Sequence, residues 1–193
     1  LEAQLRAAEA GLHALDAGRP PLAPEPVDAI YAVEETITRL AGHFTRRGLT
    51  LRLAAPAALP PIIADRAALL DVVNSLLVNA ALASPVDGEV ALRVALDECE
   101  LPCTGEAAAL ATCLALDVAD SGTGVDPADY ERVFAHRYEP GHLLIEGLGT
   151  GGVSLPRVRT LVEAHGGCVW LESEKGIGTT FRVRLPLEPL SGE

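Results

Sequence analysis

The 193-residue chain has no methionine and one tryptophan, and aromatic residues make up only 4% of it. Its core must therefore be filled by Ala, Leu and Val. Positive charge is scarce: 15 Lys and Arg stand against 27 Asp and Glu, a net charge of -12. That excludes a whole-domain basic footprint for nucleic acid, and an anionic membrane surface would repel it. A local cationic pocket is still compatible with it. No apolar run approaches the roughly 20 residues of a spanning helix, and no signal peptide is visible. Metal-ligand spacing is lacking as well. Of Cys99, Cys103, Cys113 and Cys168 only the first two are close, with no second pair or correctly spaced His. Cys113 and Cys168 fall in predicted strands and read as small core hydrophobes. A Cys99–Cys103 disulfide is the lesser alternative, and the cysteine usage points to a reducing compartment.

What is present is a globular composition, 49% apolar and 22% charged. Residues 2–17 place Leu5, Leu12 and Leu15 on one face of an amphipathic helix. That helix needs a partner for its stripe, and the chain reads as a piece of a longer protein. Pro20, Pro21, Pro24 and Pro26 mark an extended linker. A helix follows over 27–47, with Gly48 as its stop, then a strand carrying Leu49, Leu51 and Leu53, and a short strand at Ile62-Ile63-Ala64. Asp65 reads as the N-cap of a helix to about Ala83. Asn79 sits in its apolar stretch, where a polar amide needs a partner. A strand covers Glu89–Leu96, residues 97–111 read as an irregular loop, and a strand over 112–119 leads to Asp120. Pro127–Ala135 is a predicted helix, and Gly141, Gly147, Gly149, Gly151 and Gly152 crowd the following segment. Ser154 reads as the cap of a helix to His165. Two strands around the Lys175–Gly178 turn close the chain.

The stretch Asp120-Ser-Gly122-Thr-Gly124-Val125 delivers one carboxylate from a strand end into a glycine turn. Alone it reads as a turn carboxylate. Four other blocks accompany it in order: Ser75–Pro85 (SLLVNAALASP), Tyr130–Phe134 (YERVF), Gly147–Gly167 and Gly176–Phe181 (GIGTTF). Together they resemble the Asn box, first Gly box, Phe box and second Gly box of the catalytic ATP-binding domain of sensor histidine kinases. That family lies in the superfamily of gyrase, the Hsp90 chaperone and MutL. The resemblance covers roughly residues 27–187, and residues 1–18 look like the end of the dimerisation and phosphoacceptor helix.

The resemblance implies an α/β (α+β) two-layer sandwich: a mixed, mostly antiparallel sheet covered on one face by helices, the Bergerat-type fold. It divides the chain into a phosphoacceptor-helix end (1–18), a linker (19–26), the ATP-binding domain (27–187) and a tail (188–193). It implies transfer of the ATP γ-phosphoryl group to a histidine on an upstream dimerisation domain. Asp120 would accept the adenine amine, with Gly122, Gly124 and Val125 close to the base and Thr179 supporting the pocket. Asn79 would ligate a Mg²⁺ bridging the phosphates. Gly149, Gly151, Gly152, Val153 and Ser154 would form the lid and offer amides to phosphate. The implied partners are the dimerisation domain of the same protein, in a homodimer, and a response regulator. No nucleic acid or membrane contact is implied, and the setting is cytoplasmic. The sequence departs from the family pattern at Ser75, where a second polar ligand is usual. It departs also at Leu82 and Ala83, where a cation and an aromatic are common, and at Thr150, Ser154 and Pro156. A weakly or non-catalytic signalling domain of the same fold is the alternative reading.

Overall fold

Hydrophobic alternation builds the sheet, and helical periodicity covers one side of it. The computed structural model describes residues 22–101, 109–134 and 155–188. The predicted helix over 2–17, Cys103, the glycine-rich segment with Gly149, Gly151 and Gly152, Val153 and Ser154 all lie outside the described residues. The elements are β1 (Glu25–Val27), α1 (Ala29–Arg46), β2 (Thr50–Ala54), β3 (Ile62–Ala64), α2 (Arg66–Ala83), β4 (Glu89–Leu101) and β5 (Ala109–Asp120). Two single 3-10 turns (Pro127–Asp129 and Arg132–Phe134) follow, then α3 (Leu155–Ala164), β6 (Cys168–Glu174) and β7 (Gly178–Pro186).

Five strands form one sheet in the order β2-β4-β5-β7-β6, and β2 runs parallel to β4 while every other pair is antiparallel. This is the mixed, mostly antiparallel sheet expected. Leu92, Leu116, Val118, Phe181 and Val183 face the helices and join one core with Leu40 of α1, Leu76 and Leu77 of α2, and Leu161 and Val162 of α3. The last residues of the Pro-rich stretch are themselves structured. Glu25–Val27 pairs antiparallel with Ile62–Ala64, and the Ile63 amide donates to the Leu187 carbonyl at 2.8 Å.

Helix α2 is apolar around most of its circumference because it packs against α1, α3 and β5. Its 18 residues match a membrane span by length and composition, yet more than half of them are buried inside the protein, as a core helix requires. Asp65 caps its N-terminus through the Ala68 amide at 2.9 Å, as expected, and also accepts from the Ala23 amide at 2.9 Å. His165, just past α3, accepts from the Asp65 amide at Nε2 (3.0 Å), and its Nδ1–H donates to the Leu161 carbonyl (2.7 Å). The imidazole thus joins the end of α3 to the start of α2.

Three expectations are corrected. Residues 97–111 are not an irregular loop throughout. β4 continues to Leu101 and β5 starts at Ala109, with Asp97 opposite Cys113 and Leu101 opposite Ala109. Asp97, Glu98 and Glu100 obscured the alternation, and Asp97 points to the open face, where Arg93 and Arg184 neutralise it. Because the hairpin is this long, Cys99 lies diagonally across from Cys113, and the two form a disulfide with Cα atoms 6.5 Å apart. Cys113 is therefore not a bare core thiol, nor is Cys168, which is also disulfide-bonded, and Cys99 does not pair with Cys103. Third, the predicted helix over Pro127–Ala135 is two 3-10 turns, a segment too short to sustain an α-helical nucleus.

Candidate functional site

The end of β5 organises the site. In the sheet, Asp120 sits opposite Thr179 of β7, and Thr179 opposite Ser173 of β6. Strand side chains alternate, so these three lie in one row on the helix-covered face. They are polar at the edge of an otherwise apolar face, and Asp120 and Thr179 are 9% and 5% exposed.

Asp120 has no cationic partner among the described residues. Its Oδ1 accepts from the Gly122 amide at 2.8 Å and from the Thr179 amide at 3.2 Å. No hydrogen bond among the described residues reaches Oδ2. Burial pushes this carboxyl above its ordinary range, and the Gly122 and Thr179 amides pull it back. The group is an acceptor held in place by backbone, with one oxygen left for a donor from outside.

The glycines permit this geometry. Gly124 has φ +73°, and a Cβ there would lie 2.4 Å from the Glu174 carbonyl oxygen, so the turn can lie against β6 only with no side chain at this position. A Cβ on Gly178 would stand 2.0 Å from the Asp120 carbonyl oxygen. Without a side chain there, β7 can close on the carboxylate. The Gly176 amide donates to the Thr123 carbonyl at 2.8 Å, tying the β6–β7 turn to the same loop.

Helix α2 reaches the site through its last turn. A Cβ on Gly122 would sit 2.7 Å from the Ala83 carbonyl oxygen, so Ala83 abuts the Asp120 turn. Asn79 lies four residues earlier on the same stripe of α2, about 6 Å back along the axis. Its Nδ2 is buried without a hydrogen-bond partner among the described residues. Buried amides are nearly always satisfied, so this orphan marks a place where something polar is missing. The orphan N–H calls for an acceptor such as a phosphate oxygen, and it is the oxygen of the same uncharged amide that suits a hard cation such as Mg²⁺.

Of the expected site residues, the structure brings together Asp120, Gly122, Gly124, Val125 and Thr179, with Asn79 one helical turn away on α2. Gly149, Gly151, Gly152, Val153 and Ser154 lie outside the described residues. Two residues were missed. The Ser173 hydroxyl contacts Val125, Gly178 and Thr179, and the Tyr130 hydroxyl both donates to the Ser173 carbonyl (2.7 Å) and accepts from its amide (3.2 Å). Counting outward from the Lys175–Gly178 turn would have placed Ser173 opposite Thr179. The Phe-box residues Val133 and Phe134 are buried, with Phe134 edge-on to Phe181 at 6.1 Å and under the Arg159 guanidinium at 4.5 Å.

Comparison with known proteins agrees with this geometry. Residues 64–189 match the family described as histidine kinase-, DNA gyrase B-, and HSP90-like ATPase. The histidine protein kinase DivJ of Caulobacter vibrioides is 34% identical over 161 residues, 83% of this chain and 24% of DivJ. Among solved structures, the catalytic domain of the histidine kinase ThkA superposes with a TM-score of 0.70 at 18% identity, covering 87% of this chain and 98% of that one. Full-length ShkA in complex with AMPPNP superposes with a TM-score of 0.65 at 24% identity, covering 90% of this chain and 33% of ShkA. These two likenesses establish the fold. The chain spans less than half the length of the curated relatives it matches.

Proposed function

This chain belongs to the histidine kinase-, DNA gyrase B-, and HSP90-like ATPase family, and from that premise we propose that it is the ATP-binding catalytic domain of a two-component sensor histidine kinase. It binds ATP with the base at Asp120 and the phosphates toward Asn79. The γ-phosphoryl group passes to a histidine on an upstream dimerisation domain of the same protein. The full-length protein is a homodimer, acts in the cytoplasm and hands the phosphoryl group to a response regulator. The named kinases DivJ and ThkA and the AMPPNP complex of ShkA support this reading.

The observation that carries it is the unpaired oxygen of Asp120. A buried carboxylate normally has a cation or a full set of donors. Among the described residues both internal donors go to Oδ1, which leaves Oδ2 for an exocyclic amine. Asn79 would hold a Mg²⁺, whose charge would neutralise the phosphates. Positioning and charge neutralisation account for most of phosphoryl-transfer catalysis, so this domain needs no base of its own when the acceptor is a neutral imidazole.

The test is a calorimetric titration of ATP with and without Mg²⁺. Asp120→Asn replaces an ionised acceptor, worth roughly 1.5–3 kcal/mol, and should weaken ATP about 10- to 100-fold. Asn79→Ala should remove most of the Mg²⁺ dependence and leave Mg²⁺-free binding nearly unchanged. ATP binding that ignores both substitutions would overturn the assignment.

A further inference from the structure

Carboxylates outnumber Lys and Arg in this chain by 27 to 15, and every described arginine outside α1 and its C-cap is ion-paired. Arg39, Arg46 and Arg47 have no carboxylate partner among the described residues. Arg39 donates to the Thr36 hydroxyl at 3.4 Å, and Arg46 donates to His43 Nδ1 at 2.8 Å. Arg47, the C-cap of α1, donates to the Ala81 and Ser84 carbonyls at the end of α2. Asp87 stands beside Gly48 but forms no ion pair with these arginines. A helix C-terminus favours cations within its last turn, which accounts for Arg46 and Arg47. It does not account for Arg39, about two turns back, or for what lies between the helices.

Between α1 and α2 there is a recess of about 60 Å³ with an almost wholly apolar lining. Its walls are the buried Leu40 and Phe44 of α1 and the buried Val78 and Ala81 of α2. His43, Arg46 and Arg47 stand around it. An enclosed aromatic ring fills a cavity of roughly 150 Å³, so this recess takes the end of one aliphatic side chain. Arg47 ties the two helices together at its edge, so the walls need no reordering when something enters. Val78 and Ala81 lie about 100° and 160° around α2 from Asn79. An occupant of the recess therefore does not compete with anything bound at Asn79.

An apolar recess the size of one side chain, beside cations with no counter-charge, matches an apolar anchor flanked by negative charge. We propose that this face docks an acidic peptide segment of a partner protein. One leucine-like side chain seats between α1 and α2, and its neighbouring carboxylates meet Arg39 and Arg46. An anionic membrane fits worse, because the net charge of -12 repels its surface and one small recess cannot take acyl chains. A single anchor with a few exposed ion pairs makes a small contact, which belongs to the weak and transient class. The inference goes beyond the nucleotide site and does not rest on it.

The experiment titrates the whole chain with the capped peptide EEDLEED, followed by the amide NMR shifts of Leu40, Phe44, Val78 and Ala81. Controls are EEDGEED, which lacks the anchor, and KKNLKKN, which reverses the charge. The acidic leucine peptide should shift all four amides saturably. The glycine peptide should bind about tenfold or more weakly, the effect of leaving one leucine unburied, and the lysine peptide should not bind. The double variant Arg39→Gln/Arg46→Gln changes only exposed ends of side chains. It should bind about tenfold more weakly, the sum of two exposed ion pairs, with its thermal midpoint unchanged. Equal affinity for the leucine and glycine peptides would reduce the face to a charge patch and end the proposal. So would binding that ignores the double variant, or no shift at millimolar peptide, as when the chain's own residues fill the recess. Concentration-dependent shifts of the same amides in the chain alone, with a dimer in sedimentation, would give the face to a second copy. Sedimentation with phosphatidylserine vesicles that depends on Arg39 and Arg46 would give it to a membrane; either result overturns the assignment to an acidic peptide. ATP affinity measured on the same samples tests the nucleotide site separately, and its failure leaves this result standing.

Discussion

Strand β5 buries two aspartates three residues apart, on opposite faces of the sheet, and they are served in opposite ways. Asp117, on the open face, takes Arg184 at 2.7 Å, Arg93 at 3.0 Å and Arg182 at 3.2 Å. Asp120, on the helix-covered face, has two backbone amides on one oxygen and no cation among the described residues. The sequence presents both as an Asp in an apolar run. The difference teaches which one is structural. A buried charge with a full set of partners is finished, whereas one with a free oxygen is held for something that arrives later. Folding explains the first; only a ligand explains the second.

The largest effect is expected on the finished side. Asp117→Ala leaves Arg184, whose side chain is 9% exposed, with Asp97 as its remaining carboxylate at 3.1 Å. Arg93 and Arg182 are more exposed and can turn to water, which places the loss at the lower end of the range for breaking a buried pair, about 3 kcal/mol. Urea unfolding measures it. The affinity of the folded variant for ATP should be unchanged. A large affinity loss would break the division between the two faces.

Asp120→Asn is the mirror experiment. The amide oxygen can still accept from Gly122 and Thr179, and no charge is buried. Stability should therefore stay level or rise while ATP affinity falls. The pH dependence has a definite sign. A folded-state pKa raised by burial means that the native state is penalised above that pKa and relieved as pH falls through it. The thermal midpoint of the asparagine variant should exceed that of the wild type most at pH 7, and the gap should close as pH falls toward the ordinary carboxylate range near 4. A variant less stable than the wild type at pH 7 would mean that Asp120 has a cation and is not waiting for a ligand.

How much of this could be read from the residues follows from the range of each interaction. Asp120, Gly122 and Gly124 announce themselves because a glycine turn is local chemistry. Asp65 does so because a cap lies three residues from the amide it serves. Asn79 is legible as a polar residue in an apolar helix. Ser173, the arginines around Asp117 and the Cys99–Cys113 disulfide are not local. Each depends on strand register, which joins residues far apart in the chain, such as Asp117 and Arg184, 67 residues apart. One hairpin end placed too early, at Leu96 rather than Leu101, was enough to hide the Cys99–Cys113 pair. The base end of the pocket was legible because its signals are turns. The open face was not, because its signals are alignments.

The smallest effect concerns a third aspartate, which sharpens the comparison through the opposite sign. Asp65 is not deeply buried, and its carboxylate is held below the ordinary range chiefly by the Ala23 amide, then by the Ala68 amide. Here the folded state favours the ionised form. The contribution is therefore complete at neutral pH and is lost only as pH falls below the ordinary value near 4 toward the folded pKa. Asp65→Ala removes the cap of α2 and the tie to Ala23, and should cost about 1 kcal/mol at pH 7, read as a shift in the urea midpoint. Between pH 7 and 5 that cost should be flat, and below 4 it should shrink as the wild-type carboxyl takes up its proton. The Asp120→Asn difference should shrink earlier in the same titration, above pH 4 where the Asp65 cost is still flat, because there the wild type gains. Two aspartates moving oppositely under one acid titration would separate a carboxylate that the fold uses from one that the fold carries at a cost for a ligand; parallel slopes would remove that distinction.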